Sequence, residues 1–288
     1  MNKIKILTIA TVALTFNSYA ATSTTSQSVT QGSSVAPEAK KLPINMSFLT
    51  MMFGPQVSDP VSSMTSSDSI GGKSGLGTRN FLSMTYKLSE KLSLTPVLDF
   101  NYQLTDNDRG ASLNDAYIRL KRKEILSSNI GIHPVSMDAD IRYYAPTSQG
   151  ARDNNAIGAV RTSLYPSVQI AKSRFSLSGL FFAKAWMQTQ DTNAKGKNLN
   201  MVQLYSGPQI SYAVSDKISA FILQEANVVY NTAGIPNSRD PNTSLVDLEP
   251  GVDIQVNDRV TLSPYLNWYT NQNISTTSVN LNADIKLF

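Results

Sequence analysis

The chain carries one histidine, His133, and no cysteine. Histidine is the base in most Ser–His and Asp–His catalytic groups, and histidine and cysteine ligate most zinc sites. His133 is followed directly by Pro134 and lies near the start of the alternating segment 129–144, next to a turn, where a structural role is the commoner one. We therefore predict that the protein is not an enzyme and that it uses no metal and no cofactor.

The other candidate functional residues are charged ones that alternate with apolar residues along the sequence. The basic members are Arg119, Lys121, Arg142, Arg161 and Lys184. The acidic members are Glu225, Asp247, Glu249 and Asp253. Because successive side chains of a β-strand point to opposite faces, this spacing predicts that the charges share one face of a sheet.

Period-two alternation recurs along the chain from residue 43, and no segment there has a convincing helical period. In 260–269 the even positions are Val, Leu, Pro, Leu and Trp, whereas the odd positions are Thr, Ser, Tyr, Asn and Tyr. In 92–104 five leucine, phenylalanine or tyrosine residues likewise alternate with Ser, Thr, Asp, Asn and Gln. The pattern predicts an all-β chain.

The connections between these segments fall into two classes that alternate along the chain. Four are short and similar, at 86–93, 170–176, 213–219 and 255–261. The opposite ones are long and polar: 54–78, 105–112, 146–155, 190–199 and 232–243. Short turns at one end and long loops at the other are typical of a transmembrane barrel, and a soluble sandwich has no reason to sort its loops in this way.

We predict a transmembrane antiparallel up-and-down β-barrel of about twelve strands. The strands are placed near 44–53, 80–88, 92–104, 113–122, 129–144, 156–170, 174–188, 200–214, 218–230, 244–256, 259–270 and 275–287. Ten or fourteen strands are alternatives, because 123–135 could hide a different break. Five prolines fall inside these strands and predict bulges or bends, since each lacks a backbone N–H: Pro96, Pro166, Pro208, Pro250 and Pro264.

The first twenty residues have the anatomy of a secretory signal peptide. Lys3 and Lys5 precede a short apolar run, and Ala20 ends a small-x-small cleavage site. Residues 21–42 are rich in Ser and Thr and predict a flexible N-terminal segment, so the barrel is assigned to 43–288. Loss of the two signal lysines leaves 23 basic against 21 acidic residues, a net charge of +2 that gives no reason to expect nucleic-acid binding.

The last ten residues, 279–288, alternate and end in Phe288. This resembles the C-terminal signal of bacterial outer-membrane β-barrel proteins, which is read by the barrel-assembly machinery, although Phe288 is out of phase with the apolar positions before it. The resemblance covers the mature chain as architecture and identifies no particular porin family. It implies location in the outer membrane of a Gram-negative-type cell, with outer-membrane lipids and the assembly machinery as partners.

General porins resemble this chain in carrying basic and acidic clusters that face each other across the lumen. If the polar face points inward, the two charged sets above lie roughly across from each other and line a pore. We therefore expect a porin for the passive diffusion of small polar solutes or ions. The alternatives are a non-conducting structural or adhesion barrel, whose loop 54–78 meets external partners, and, with less support, an outer-membrane hydrolase.

Overall fold

A computed structural model describes residues 44–56, 76–104, 110–236, 246–270, 273–274 and 277–288. Within these ranges the regular structure is almost entirely β-strand, with one short helix, α1 (Gln149–Asp153). No helix in this part of the chain is long and apolar enough to cross a membrane. The predicted signal peptide 1–20, the predicted segment 21–42 and most of the predicted loop 54–78 lie outside the described residues.

The strands are numbered in chain order. They are β1 Ile44–Gln56, β2 Gly77–Lys87, β3 Leu92–Gln103, β4 Gly110–Leu113, β5 Tyr117–Ile130, β6 His133–Tyr144, β7 Ala156–Gln169, β8 Phe175–Gln188, β9 Asn200–Ala213, β10 Ile218–Asn231, β11 Val246–Gln255, β12 Val260–Tyr269 and β13 Ser278–Lys286.

The sheet closes on itself as a ring of twelve antiparallel strands, with β4 as one extra short strand. Closure occurs where β1 pairs with β13 on one side and with β2 on the other. The Met46 N–H donates to Phe288 O (3.0 Å), and the Leu287 N–H donates to Met46 O (2.9 Å), which extends the closing pair to the C-terminus. The predicted twelve-stranded barrel is confirmed, and the alternatives of ten and fourteen strands are wrong.

Strands β4 and β5 occupy a single place in the ring. Both pair with β3, β4 along its second half and β5 along its first half. They are separated at residues 114–116, where Asn114 turns its side chain into the barrel and donates to Asp99 Oδ1 (2.7 Å) and Asn101 Oδ1 (2.9 Å). The interruption therefore arises from a local polar network, and the strand count is unchanged.

The turn after β5 lies later in the chain than the sequence predicts. We expected the strand to end at 122, but β5 continues to Ile130 and the hairpin turns at Gly131, whose φ of 62° suits glycine. A bulge shifts the β5–β6 register between Arg122 and Leu126, with Glu124 at φ 50°. Between these two pairs β5 has three residues, 123–125, and β6 has one, Asp138, so two extra residues interrupt the period-two pattern on which the prediction depended.

Of the predicted bulges or bends, the register shows no bulge at any of the five strand prolines. At each one the pairing with a single neighbouring strand is interrupted and then resumes in the same register, while pairing with the other neighbour is continuous. Pro208, for example, pairs with Gly179 of β8, whereas the β9–β10 ladder skips from Gln209 to Ser206. Corresponding gaps occur at the other four prolines. Each proline thus removes pairing on one side without displacing the strand.

The burial pattern is inverted relative to that of a soluble protein. Among the most buried side chains are Thr95 (0% exposed), Asp99 (1%) and Asn267 (2%), whereas Ile118 and Ile222 are 51% and 50% exposed. Polar residues therefore face the interior and aliphatic residues face outward, as in barrels whose exterior contacts lipid. Tyrosine and phenylalanine join the aliphatic residues on the outer face, and the exposed ones include Tyr102, Tyr143, Phe175 and Tyr212.

Candidate functional site in the barrel lumen

Four of the predicted basic residues lie side by side on the inner wall. Arg119 on β5 is the direct Cα partner of Arg142 on β6, Arg142 is the partner of Arg161 on β7, and Arg161 is the partner of Lys184 on β8. We call these four residues the basic ladder. Like charges at directly opposite positions destabilise a sheet. Two unit charges about 5 Å apart repel by roughly 1 kcal/mol in water and roughly 3 kcal/mol at an effective dielectric constant of 20.

One member of the ladder is neutralised by a buried carboxylate. Arg142 Nη2 lies 2.9 Å from Asp140 Oδ2, and the two side chains are 11% and 0% exposed. Tyr165 completes this group, because its hydroxyl accepts from Arg142 and donates to Asp140, both at 2.6 Å. The fifth predicted basic residue, Lys121, lies outside the ladder and pairs with Asp138 at 2.8 Å.

Aromatic rings contact the charged groups of two other ladder residues, Arg161 and Lys184. The Arg161 guanidinium carbon lies 3.5 Å from the centroid of the Phe182 ring. Lys184 Nζ lies 4.2 Å from the centroid of Tyr144 and 4.8 Å from that of Trp186. Cation–π contact of this kind stabilises a desolvated cation by about 2 kcal/mol, which offsets part of the repulsion along the ladder.

The ladder keeps an excess of positive charge. Arg161 and Lys184 form no ion pair with any carboxylate in the described part of the chain. Arg119 Nε is buried and has no hydrogen-bond partner among the residues that the structure places. The inner wall from β5 to β8 therefore carries cationic hydrogen-bond donors, for which an anion would be the acceptor.

Three of the four predicted acidic residues also come together. Glu225 is the direct partner of Asp247, and one carboxylate oxygen from each of Glu225, Asp247 and Glu249 lies within 4.8 Å of the other two. We call these three residues the acidic cluster. Asn267 Nδ2 donates to Asp247 Oδ2 (3.1 Å) and to Glu249 Oε1 (2.8 Å), and the Tyr205 hydroxyl donates to Glu225. Hard cations such as Ca²⁺ take carboxylate oxygens of this kind as ligands.

Asp253 does not join the acidic cluster. It accepts a hydrogen bond from Ser263 Oγ (2.6 Å) and borders a cavity of about 580 Å³, together with Asp216 and Lys217 of the short turn between β9 and β10. Its position on the inner face agrees with the alternation in sequence, but its level in the barrel is that of the short turns.

The basic and acidic groups are not directly across the lumen from each other. The ladder spans β5 to β8 and the cluster spans β10 and β11, so their centres lie four places apart in the ring of twelve, a third of the circumference. The wall between them carries a stacked ring pair, Phe182 and Tyr205, with centroids 4.7 Å apart and planes at 10°. Phe182 contacts Arg161, and Tyr205 contacts Glu225.

Open volume remains beside both groups. A cavity of about 520 Å³ is bordered by Asp138, Tyr165, Tyr205 and Glu225. Another, of about 350 Å³, is bordered by Asp115 and Trp186 at the end of the barrel that carries the long loops. Between them lies a packed group in which Tyr117 and Tyr144 contact each other (4.8 Å between centroids), with Phe81 and Trp186 against it.

His133 begins β6 next to the short turn, as the sequence predicts. Its Nδ1 accepts a hydrogen bond from the Ala171 N–H at 3.0 Å, which ties the β5–β6 turn to the β7–β8 turn. The imidazole thus makes a structural contact at the short-turn end, away from the basic ladder.

Sequence reasoning placed the charged side chains on the inner face but missed three residues that position them. Tyr117, Phe182 and Asn267 contact Arg142, Arg161 and the acidic cluster, respectively. Alternation alone would have put all three on the inner face. Their contacts depend on which residues stand opposite each other, and this register is not readable from a single strand.

No protein-family model matches the chain, and no curated protein matches it. Among solved structures, an outer membrane channel from Pseudomonas putida F1 is similar at 13% identity and a TM-score of 0.55, with 88% of this chain and 100% of that chain covered. The KdgM porin in complex with disordered oligogalacturonate aligns at 6% identity and a TM-score of 0.46, covering 85% and 99%. A mutant of the Rh. blastica porin aligns at 9% and 0.31, covering 85% and 100%. The chain shares the barrel fold of the Pseudomonas putida F1 channel.

Proposed function

We propose that the protein is an outer-membrane channel through which small polar solutes and ions diffuse passively. The basic ladder is the observation that carries the proposal. A barrel with a purely structural role gains nothing from four cations at directly opposite positions, because their repulsion lowers stability. A pore gains selectivity from such a row, since charged rings determine which ions and solutes pass.

Two further features support a conducting lumen. Cavities border both the acidic cluster and the ladder's neighbours, so the interior is not filled throughout by side chains. The acidic cluster on the adjoining wall offers the opposite charge, and the two groups together would favour polar solutes over apolar ones. The proposed location in the outer membrane, with lipids on the exterior and the barrel-assembly machinery as a biogenesis partner, follows from the fold and from the C-terminal strand.

Liposome swelling tests the proposal. We expect liposomes containing the folded protein to swell in isotonic solutions of small polar solutes, because these enter through the lumen. Ser178→Trp adds an indole to the inner wall beside the 520 Å³ cavity, and we expect it to slow swelling roughly twofold or more by narrowing the path. Leu177→Trp is the matched control, because Leu177 is the next residue of β8 and is 44% exposed on the outer face.

Two results would contradict the channel. Liposomes that contain folded protein and do not swell in any small solute would favour the non-conducting structural barrel. Equal swelling with Ser178→Trp and Leu177→Trp would show that solute does not pass along the inner face of β8.

A further inference from the structure

We propose that the basic ladder, with the aromatic rings that hold it, is a binding subsite for small solutes carrying two or more carboxylate or phosphate groups. The subsite rests on the proposed function only in that the solute must reach the inner wall. The subsite goes beyond that function because it predicts saturable binding, whereas simple diffusion through a charged pore requires no binding.

The spacing of the ladder suits a multivalent anion. Neighbouring strands lie about 4.8 Å apart, so four directly opposite residues form a row roughly 14 Å long. A dicarboxylate, tricarboxylate or diphosphate places its charges a few bonds apart and can therefore engage neighbouring rungs at once. Three of the four rungs are arginines, whose planar guanidinium groups bind carboxylate and phosphate oxygens in pairs.

The carboxylates of the inner wall do not pair with all four cations of the basic ladder, so a bound anion would complete the charge pairing. Asp140 neutralises Arg142 alone. Arg161 and Lys184 lie on aromatic rings rather than on carboxylates, and Arg119 Nε has no hydrogen-bond partner among the described residues although it is buried. A buried guanidinium nitrogen without an acceptor is costly, and a bound oxyanion would supply the missing acceptor.

The rings give the subsite its rigidity. Phe182 is stacked between Arg161 and Tyr205, and Trp186 and Tyr144 both contact Lys184. Long cationic side chains lose rotamer entropy when they bind, and contacts that already fix them reduce this loss. Phe182 and Trp186 are only partly buried, so the carbon skeleton of an organic anion can pack against their exposed ring atoms beside the charges.

The acidic cluster is too far away to cancel the site. Lys184 on β8 and Glu225 on β10 are two strands apart, roughly 10 Å, and Arg161 on β7 is three strands from Glu225, roughly 14 Å. Both separations exceed the Debye length of about 8 Å at physiological ionic strength. The Phe182–Tyr205 pair also occupies the wall between the two groups. The acidic cluster therefore has little effect on a polyanion bound at the ladder.

Tryptophan fluorescence can report binding whether or not the barrel conducts. The chain has two tryptophans, and Trp268→Phe leaves Trp186, which touches Lys184, as the reporter. We expect citrate, and separately pyrophosphate, to change the Trp186 emission saturably in folded protein, whereas sodium chloride of equal ionic strength does not. Arg119→Gln and Arg161→Gln should each weaken citrate binding roughly tenfold, because each removes charge-assisted hydrogen bonds.

Arg259→Gln is the matched control, because it makes the same change at an exposed residue of the β11–β12 turn, and we expect it to leave binding unchanged. Arg161→Lys keeps the charge and should retain more affinity than Arg161→Gln. Emission that responds to citrate no more than to chloride, or citrate binding that is indifferent to both glutamine variants, would overturn the subsite. Solute flux without citrate binding would overturn the subsite but support the channel. Citrate binding without solute flux would support the subsite but overturn the channel.

Discussion

At the scale of single residues, the stability of the basic ladder depends on the Asp140 carboxylate. Its side chain is fully buried and holds Arg142 and Tyr165. Asp140→Asn would leave a nearly buried guanidinium without its counter-charge, and we expect a loss of about 3 kcal/mol in unfolding free energy. Denaturant unfolding of the vesicle-inserted protein measures this loss.

The matched control is Asp138→Asn, one inward position earlier on β6. The Asp138–Lys121 pair is more accessible, with side chains 25% and 26% exposed, so we expect a loss of only about 1 kcal/mol or less. Equal losses for the two variants would show that the buried Asp140–Arg142 pair contributes no more to stability than the accessible Asp138–Lys121 pair.

The faces of these residues could be predicted from sequence, but their contacts could not. Alternation put Arg142 and Glu225 on the inner face because a strand's side-chain period is fixed by its backbone. That Arg119, Arg142, Arg161 and Lys184 form one row depends on the register of three hairpins. Register is set by the turns and by packing between strands, so it cannot be deduced from the positions of the charged residues in the sequence.

At the scale of elements, the strand prolines are tolerated because each lies at a one-sided gap in pairing. Pro208→Ala restores an N–H where the β9–β10 ladder is interrupted, and it also loosens the unfolded chain. These effects oppose each other and are each about 1 kcal/mol or less, so we expect little net change in stability. Denaturant unfolding measures the balance, and hydrogen exchange should show whether the new amide is protected.

The contrasting change is Ile210→Pro, two residues along the same strand. Ile210 pairs with Leu177 on one side and Ile222 on the other without a gap, so a proline there would leave a carbonyl unsatisfied within the membrane. We expect a loss of several kcal/mol. If Ile210→Pro is tolerated as well as Pro208→Ala, the pairing gap is not what accommodates proline.

Element boundaries show a similar division between what sequence can and cannot predict. The short turns and most strands fall within a few residues of their predicted places, because alternation stops where the turn residues begin. The exception is β5, whose bulge at Glu124 interrupts the alternation, so the eight strand residues after Arg122 were not predicted as part of this strand. The contacts that stabilise the bulge, Lys91 to Glu124 and the Glu124 N–H to Asp138, come from neighbouring strands and turns and could not be foreseen locally.

At the scale of the whole molecule, a substitution of the C-terminal residue can distinguish an effect on assembly from an effect on stability. The Phe288 ring is 67% exposed, and only its backbone oxygen takes part in closing the barrel. We expect Phe288→Ala to change the stability of refolded protein by less than about 0.5 kcal/mol, as is usual for surface substitutions. If the assembly machinery reads this residue, the same variant should accumulate in the outer membrane of cells at a reduced level. A large loss of stability on refolding would instead show that the ring packs in the finished barrel.

The central claim concerns the whole barrel as well: the inner wall lines a pore whose charges select solutes. Single-channel recording of the refolded protein in a planar bilayer tests it most directly. We expect stable conductance steps whose ion selectivity moves toward anions in Asp247→Asn/Glu249→Gln and toward cations in Arg161→Gln, because each change removes charge of one sign from the lumen. Absence of current from protein shown to be folded by its heat-modifiable mobility, or steps whose selectivity neither variant alters, would contradict the proposed pore.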